Sequence, residues 1–219
     1  MKKHSKEYLQ NISPYETYEL LVEGNKRFIN NLKTDHDHLA LVNQTSADQY
    51  PVAVILSCMD SRTSVELIFD QGIGDLFSIR VAGNIVNNDI LGSIEYAVKY
   101  VGSKVVMVLG HTECGAIKSA KQDVTDGNIT DLLKRIKPSI SKAMLNDETK
   151  YLFSDSVAYA NVENSLEEIL TGSDIIKEMF EKGDIGIIGA VYDVKTGAVD
   201  FFKNLTQNKE SEQKQLANL

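Results

Sequence analysis

The 219 residues of the chain are enough for one α/β domain with a sizeable core. Charged residues make up 25% of the sequence and hydrophobic residues 42%, which is typical of a soluble globular protein. The net charge of -8 comes with no basic tract, so nucleic acid is not expected as a partner.

The start of the chain and its hydropathy predict a cytoplasmic location. Residues 1–7 are charged like the start of a signal peptide, but no apolar segment follows them. No apolar run reaches the roughly 18 residues of a membrane span, so no association with a membrane is expected. In a reducing compartment, the two cysteines are better candidates for metal binding or catalysis than for a disulfide.

The first predicted element is a helical arm at residues 14–33. Ser13, Pro14 and Glu16 have the pattern of a capping box with proline in the first turn, and apolar residues then recur at helical spacing. The arm either packs on its own domain or clasps another subunit, and the sequence leaves both possibilities open. Residues 34–50 are polar and predicted to be irregular. The two histidines there, His36 and His38, could bind a metal but are expected to be solvated.

The rest of the chain alternates predicted strands with predicted helices. Strands are predicted at residues 52–57, 76–82, 104–110, 185–192 and 198–202. Helices are predicted at residues 65–71, 87–101, 114–123, 130–146, 155–170 and 173–183. This alternation predicts a parallel sheet in the order 2-1-3-4, flanked by helices, with an antiparallel strand added at the C-terminal end. We expect residues 1–219 to form a single domain, with 206–219 as a frayed tail.

Both cysteines and one histidine directly follow predicted strands. Cys58 follows the first strand, and His111 and Cys114 follow the third. In parallel sheets, ligands bind beyond the carboxyl ends of the strands where the strand order reverses, which here lies between strands one and three. Thiolate sulfur and neutral imidazole are preferred zinc ligands, and three protein ligands with an open fourth position indicate a catalytic zinc. The pattern therefore predicts a zinc site, and two buried inert thiols are the alternative interpretation.

An aspartate and an arginine lie beside the first of these cysteines. In extended geometry, Cys58, Asp60 and Arg62 alternate onto one face of the chain. A guanidinium can hold a carboxylate in a bidentate arrangement and keep it ionised. An aspartate oriented in this way can accept a hydrogen bond from zinc-bound water or hydroxide, the nucleophile. An ordinary surface ion pair is the alternative interpretation of Asp60 and Arg62.

Taken together, these motifs resemble those of the β-class carbonic anhydrases. The resemblance rests on Cys58-x-Asp60-x-Arg62 and on His111-x-x-Cys114-Gly115. It extends over about residues 14–205 through the segments 23–28, 66–72, 77–84 and 189–193. It implies an enzyme that reversibly hydrates carbon dioxide to bicarbonate and a proton. One zinc ion per chain would be bound by Cys58, His111 and Cys114, with Asp60 and Arg62 as the catalytic dyad.

The resemblance also implies a substrate pocket and an assembly. Gln49, Phe77, Ala82 and Tyr96 would line the pocket, and the amide of Gly115 would face the substrate. In the family this pocket lies at a dimer interface, so a homodimer or a dimer of dimers is implied. In such an assembly, Gln49, Phe77 and Tyr96 serve the zinc of the neighbour. Two other functions remain open: hydrolysis of carbon disulfide or carbonyl sulfide on the same scaffold, and non-catalytic zinc binding.

The sequence departs from the usual family pattern at three places. Thr63-Ser64 stands where Val-Pro is usual, which is expected to loosen the start of the following helix. Ala82 stands where valine is frequent, which is expected to widen the pocket. Ile55 stands where bicarbonate-regulated members have a tryptophan, so such a regulatory site is not expected.

Overall fold

The computed structural model describes residues 4–145 and 153–206. Its strands are β1 (Ala53–Ser57), β2 (Leu76–Arg80), β3 (Val105–His111), β4 (Gly186–Tyr192) and β5 (Val199–Asn204). Its helices are α1 (Lys6–Asn11), α2 (Pro14–Ile29), α3 (His38–Gln44), α4 (Val65–Ile68), α5 (Asn88–Glu95), α6 (Gly115–Lys121), α7 (Ile129–Leu145), α8 (Phe153–Gly172) and α9 (Asp174–Glu181). A 3₁₀ turn at Ala82–Asn84 follows β2, and a π-helical segment at Tyr96–Val101 continues α5.

The five strands form one sheet in the order β2-β1-β3-β4-β5. The first four are parallel, and β5 pairs antiparallel with β4. The predicted α/β fold, the predicted strand order and the antiparallel end strand are therefore confirmed. Every residue of β1, β3 and β4 is buried because helices cover both faces of the sheet, which explains their continuous runs of apolar residues.

Two apolar layers hold the helices against the sheet. On one face, α1, α2 and α4 contribute Leu9, Leu21 and Ile68 to the core. On the other face, α5, α8 and α9 pack over the alternate residues of the strands, with Ile94 and Ile169 at the centre. Of the helices within residues 4–145 and 153–206, none combines the length and the apolar character needed to cross a membrane.

The register of β1 and β3 places their carboxyl ends side by side. Ser57, the last residue of β1, is aligned with Leu109, which lies two residues before His111. The chain leaves β1 at Cys58 and leaves β3 after His111, so the two loops that follow begin as neighbours. The sheet thus brings the two predicted ligand segments to one edge.

The N-terminal region differs from the prediction in three ways. Helix α2 ends at Ile29 rather than at residue 33, because the chain turns at Asn31, which has a φ of 54°. Helix α1 was not predicted. The segment predicted to be irregular contains α3, which begins where the side chain of Asp37 accepts a hydrogen bond from the N–H of Ala40.

The two histidines before and within α3 have different environments. The side chain of His36 is only 11% exposed, and its Nε2 lies 3.8 Å from Oδ1 of Asp70. The expectation of a solvated residue is therefore wrong for His36, whose ring lies against a buried carboxylate. His38 is exposed, as expected.

The later elements agree with the predicted ones to within a few residues. Helix α4 is shorter than predicted, and β2 ends at Arg80 because the 3₁₀ turn begins at Ala82. Ser173 caps α9 as predicted, by accepting a hydrogen bond from the N–H of Ile176. Of the tail predicted to be frayed, only Thr206 lies within the described residues.

Asp70 fastens α2 to the connection between β1 and β2. This buried carboxylate accepts hydrogen bonds from Nε of Arg27 at 2.5 Å, from the N–H of Thr34 at 3.0 Å and from Oγ1 of Thr34 at 2.9 Å. Burial acts to raise the pKa of Asp70, but the bonds from Arg27 and Thr34 outweigh it and lower the pKa below its usual value. Asp70 therefore stabilises the fold in its ionised form.

Replacing Asp70 with asparagine should destabilise the protein in a pH-dependent way. The φ of Asp70 is 49°, which asparagine tolerates, so Asp70→Asn removes the charge and leaves the backbone path available. We expect a loss of about 1–3 kcal/mol in the free energy of unfolding at pH 7, measured by urea denaturation.

The pH dependence follows from the lowered pKa of Asp70. A carboxylate of this kind contributes its full stabilisation above its unfolded pKa of about 3.9 and loses it as the pH falls through the folded pKa. The difference between wild type and Asp70→Asn should therefore narrow only below about pH 4. Asp131→Asn is the matched control, since Asp131 forms an exposed ion pair with Lys134, and its unfolding midpoint should not change. A constant difference down to pH 2 would contradict this role of the Asp70 charge.

Candidate metal centre

Three side chains from two loops converge at the carboxyl edge of the sheet. Cys58 follows β1, His111 ends β3, and Cys114 is the N-cap residue of α6. One ligand atom from each residue lies within 4.8 Å of the other two, and all three residues are buried. This set of two sulfurs and one imidazole nitrogen could hold one zinc ion, as the sequence predicted.

The histidine of this group is oriented by the backbone. Nδ1 of His111 lies 2.8 Å from the carbonyl oxygen of Thr112, which can only accept a hydrogen bond, so Nδ1 carries the proton. Nε2 is therefore a lone-pair acceptor, and it is buried without a hydrogen-bond partner. A buried polar atom without a partner is unfavourable, and a metal ion at this position would satisfy it. The residues present therefore fit a zinc ion.

The two thiols act on each other. A hydrogen bond from Cys114 outweighs burial and lowers the pKa of the Cys58 thiol below its usual value. The same interaction, together with burial, raises the pKa of Cys114. The backbone N–H of Gly83 also donates to Sγ of Cys58 at 3.3 Å. The site thus favours a thiolate at Cys58, which is the form of cysteine that binds metals.

The side chains of Asp60 and Arg62 form a bidentate ion pair next to this group. Nε and Nη2 of Arg62 donate to the two carboxylate oxygens of Asp60 at 2.8 and 2.7 Å, and the backbone N–H of Arg62 adds a third bond at 3.0 Å. These bonds hold the pKa of Asp60 well below its usual range. Oδ2 of Asp60 lies 3.9 Å from Nε2 of His111, so the carboxylate stands beside the three potential ligands.

The loop that carries Cys58 and Asp60 is held by two residues that were not predicted to do so. Oγ1 of the buried Thr63 lies 2.9 Å from the carbonyl oxygen of Cys58 and 2.8 Å from that of Asp60. The guanidinium of Arg80 donates to the same two carbonyls, at 3.3 Å for Cys58 and 2.5 Å for Asp60. The one signal in the sequence for this role of Thr63 was its hydroxyl, directly after Arg62.

The departure at Thr63-Ser64 has two different outcomes. Thr63 fastens the loop before α4 through the carbonyls of Cys58 and Asp60, and the looser start of α4 itself stays a prediction. Ser64 occupies the N-cap position of α4 without making a side-chain cap hydrogen bond.

The structure divides the predicted pocket residues into two groups. Ala82 opens the 3₁₀ turn that contacts Cys58, and Gly115 is the first residue of α6, directly after Cys114. Phe77, in contrast, is aligned with Val54, four positions before Cys58, which is about 13 Å along the strand.

The second group consists of Phe77, Tyr96 and Gln49. The ring of Phe77 contacts that of Tyr96 edge-on, with centroids 6.4 Å apart. Tyr96 in turn lines a cavity of about 480 Å³ together with Gln49. Only Ala82 and Gly115 of the five predicted pocket residues therefore adjoin the potential ligands of their own chain.

Comparison with known proteins gives consistent results for sequence and structure. The family model described as carbonic anhydrase matches residues 53–199. Carbonic anhydrase 2 of Mycobacterium tuberculosis is 33% identical over 196 residues, covering 86% of this chain and 93% of the relative. The carbonic anhydrase of Mycolicibacterium smegmatis is 31% identical over 204 residues, covering 90% and 97%.

Solved structures show the same fold. The β-carbonic anhydrase CcaA superposes with a TM-score of 0.67 at 25% identity, covering 88% of this chain and 93% of its own. A tetrameric β-carbonic anhydrase from Sordaria macrospora has a TM-score of 0.68 at 22% identity, covering 85% and 96%. The architecture and the ligand motifs thus define an α/β lyase of the carbonic anhydrase type. The chain belongs to the β-carbonic anhydrase family, which confirms the resemblance of its motifs.

Proposed function

We propose that this carbonic anhydrase hydrates carbon dioxide with one zinc ion held by Cys58, His111 and Cys114, and with Asp60 and Arg62 as its catalytic dyad. One observation carries the proposal: a cysteine–histidine–cysteine group with an orphaned, buried Nε2 lies directly beside an ionised carboxylate. A purely structural zinc site has four protein ligands, whereas three protein ligands leave a position for a reactant.

The bound zinc would supply an acidified water, which acts as a hydroxide nucleophile near neutral pH. Two thiolate ligands cancel the formal charge of the ion and weaken its effect on that water. A polar partner from the protein therefore contributes more here than in a site built from histidines alone.

Asp60 is suited to orient the attacking oxygen. Its ionised carboxylate can only accept hydrogen bonds. Arg62 makes two bonds to Oδ1 and one to Oδ2, so Oδ2 keeps an acceptor direction for the nucleophile. By accepting a hydrogen bond from the nucleophile, Asp60 would orient the attacking oxygen toward the substrate. Arg62 acts on Asp60 by fixing its direction and keeping it ionised.

The substrate would enter next to Ala82, whose side chain is small, and Gly115, where nothing lies within 4 Å of the position that a Cβ would take. In addition, we propose that Gln49, Phe77 and Tyr96 complete the pocket of a second copy of the chain. Their separation from the metal ligands of their own chain supports this arrangement. Tyr96 and Tyr100 are 54% and 74% exposed with their rings stacked, and such an aromatic patch is typical of a subunit interface.

Metal analysis tests the ligand set. The purified protein should contain about one zinc ion per chain. Cys58→Ala, His111→Ala and Cys114→Ala should each lose most of the zinc and the carbon dioxide hydration activity together. His38→Ala, which removes an exposed histidine outside the site, should keep both. Full zinc occupancy in Cys114→Ala would contradict the ligand assignment.

Asp60→Asn separates orientation of the nucleophile from metal binding. The variant keeps the shape of the side chain but loses its charge and places an N–H₂ group where an acceptor is needed. Zinc content should stay at the wild-type level, while the turnover number in stopped-flow hydration should fall by about 10²–10⁴. Arg62→Ala should also retain zinc and lose turnover, because Asp60 is then no longer held in its direction.

Glu178→Gln is the control for the dyad variants, since Glu178 pairs with Lys182 on an exposed helix face and should not affect turnover. Wild-type rates in both dyad variants would show that Asp60 and Arg62 are an ordinary surface ion pair. Carbon disulfide and carbonyl sulfide should be assayed in parallel. Turnover of these compounds without hydration of carbon dioxide would reject the proposed substrate.

Sedimentation equilibrium tests the proposed assembly. The wild type should be a dimer or a tetramer, and Tyr100→Arg should shift it toward monomers because it places a charge in the aromatic patch. Hydration activity should fall while zinc is retained, since the partner's side of the pocket is lost. Met144→Lys, a change at an exposed apolar residue of α7, is the control. A fully active monomer would contradict the shared pocket.

A further inference from the structure

The 3₁₀ turn at Ala82–Asn84 has an unusual backbone. Gly83 and Asn84 both have positive φ angles, 69° and 42°. A Cβ on Gly83 would lie 2.6 Å from Cδ1 of Ile136, so both conformation and space require glycine there. This left-handed pair directs the backbone N–H of Gly83 at Sγ of Cys58, 3.3 Å away. Glycine adopts this conformation readily, but at Asn84 it costs energy unless the surrounding structure holds it.

Two side chains of α8 hold this turn. Nδ2 of Asn161 donates to the carbonyl oxygen of Gly83 at 2.7 Å, and Oγ of Ser165 donates to that of Asn84 at 2.9 Å. The two residues are four positions apart, so they lie on one face of the helix. Both are buried, with exposures of 2% and 4%. Helix α8 thus fixes the peptide groups of both the Gly83 and the Asn84 carbonyl.

The amide of Asn161 is itself oriented by α7. Oγ of Ser139 donates to Oδ1 of Asn161 at 3.0 Å, and Nδ2 of Asn164 donates to that same Oγ at 2.9 Å. Because the hydroxyl of Ser139 receives the bond from Asn164, its own proton points to Asn161. Every hydrogen bond in this series therefore has a fixed donor and acceptor, and the last donor, Nδ2 of Asn161, faces the carbonyl oxygen of Gly83.

We infer that Asn161 and Ser165 are positioning residues of the metal centre, which keep the Gly83 N–H on the sulfur of Cys58. This inference rests on the proposed function, because it requires Cys58 to bind the metal. A hydrogen bond to a ligand sulfur withdraws electron density from the thiolate, and such outer partners tune both affinity and acidity at a metal. In a site with two thiolates, this donor offsets part of the negative charge that the ligands place on the ion.

Spectroscopy of the cobalt-substituted protein tests the inference without relying on activity. Cobalt(II) bound to cysteine gives thiolate-to-metal charge-transfer absorption, whose energy depends on hydrogen bonding to the sulfur. In Asn161→Ala, we expect this band to move to lower energy than in wild type. Zinc affinity, measured by competition with a chromophoric chelator, should fall by about 10–100-fold. Ser165→Ala should change both quantities in the same direction, and it provides the test if Asn161→Ala does not fold.

Asn25→Ala is the matched control for a loss of buried hydrogen bonds. Asn25 is also buried, and its Nδ2 donates to the carbonyls of Ile68 and Gly197, away from the potential ligands. This variant should lose thermal stability but retain the wild-type spectrum and zinc affinity. An unchanged band and affinity in Asn161→Ala and Ser165→Ala, or an equal change in Asn25→Ala, would overturn the inference.

The proposed metal site and this inference fail in different ways. A wild-type protein without a thiolate–cobalt band would reject the metal site itself and the inference with it. A normal wild-type band that the α8 variants leave unchanged would reject only the roles of Asn161 and Ser165.

Discussion

The parallel pairing of β1 with β3 is the constraint on which the site depends. Each of these strands ends at a buried position, and their register brings Cys58 and His111 to the same edge of the sheet. The connection that leaves β1 runs to β2 on one side, and the connection that leaves β3 runs to β4 on the other, so the two diverge at the carboxyl ends of β1 and β3, where ligands bind in such sheets. A shift of the register by one residue would turn the side chains of one strand to the opposite face and separate the ligands.

Around this edge, several charged and polar groups have partners that fix their directions. The side chain of Arg62 holds the carboxylate of Asp60 through two hydrogen bonds. The carbonyl of Thr112 sets the tautomer of His111. Thr63 and Arg80 hold the loop that carries Cys58 and Asp60. Buried polar groups of this kind are stable only when their hydrogen bonds are made. Of the residues that the structure describes near this edge, three have a buried polar atom without a hydrogen-bond partner: Nε2 of His111, Oγ of Ser57 and Nδ2 of Asn84. Metal binding would satisfy the first of them.

Much of the fold followed from the sequence because strands and helices alternate and because β1, β3 and β4 are continuous runs of buried, mostly apolar residues. That Cys58, His111 and Cys114 lie close together was predictable for the same reason, since they stand at the ends of strands that must be neighbours in the order 2-1-3-4. Helix α3 was missed because, of its residues, only Leu41 is buried, so its apolar periodicity is weak. Thr63 and Asn161 could not be assigned from the sequence, because their roles depend on backbone carbonyls that tertiary structure brings within reach.

The path of hydrogen bonds from α7 through α8 to the turn at Gly83 has a consequence for folding. The ligand segments follow β1 and β3, and the helices that brace them come later in the chain, so no short stretch of sequence can form the site alone. Contacts between such distant segments form slowly, because the loops between them must close first. With the proposed roles of Asn161 and Ser165, zinc uptake with native affinity would require that α8 has docked on the sheet. The rate at which a refolding chain acquires tight metal binding would report the docking of α8, the last step in forming the domain. An earlier hydrophobic collapse of the chain would not change metal binding.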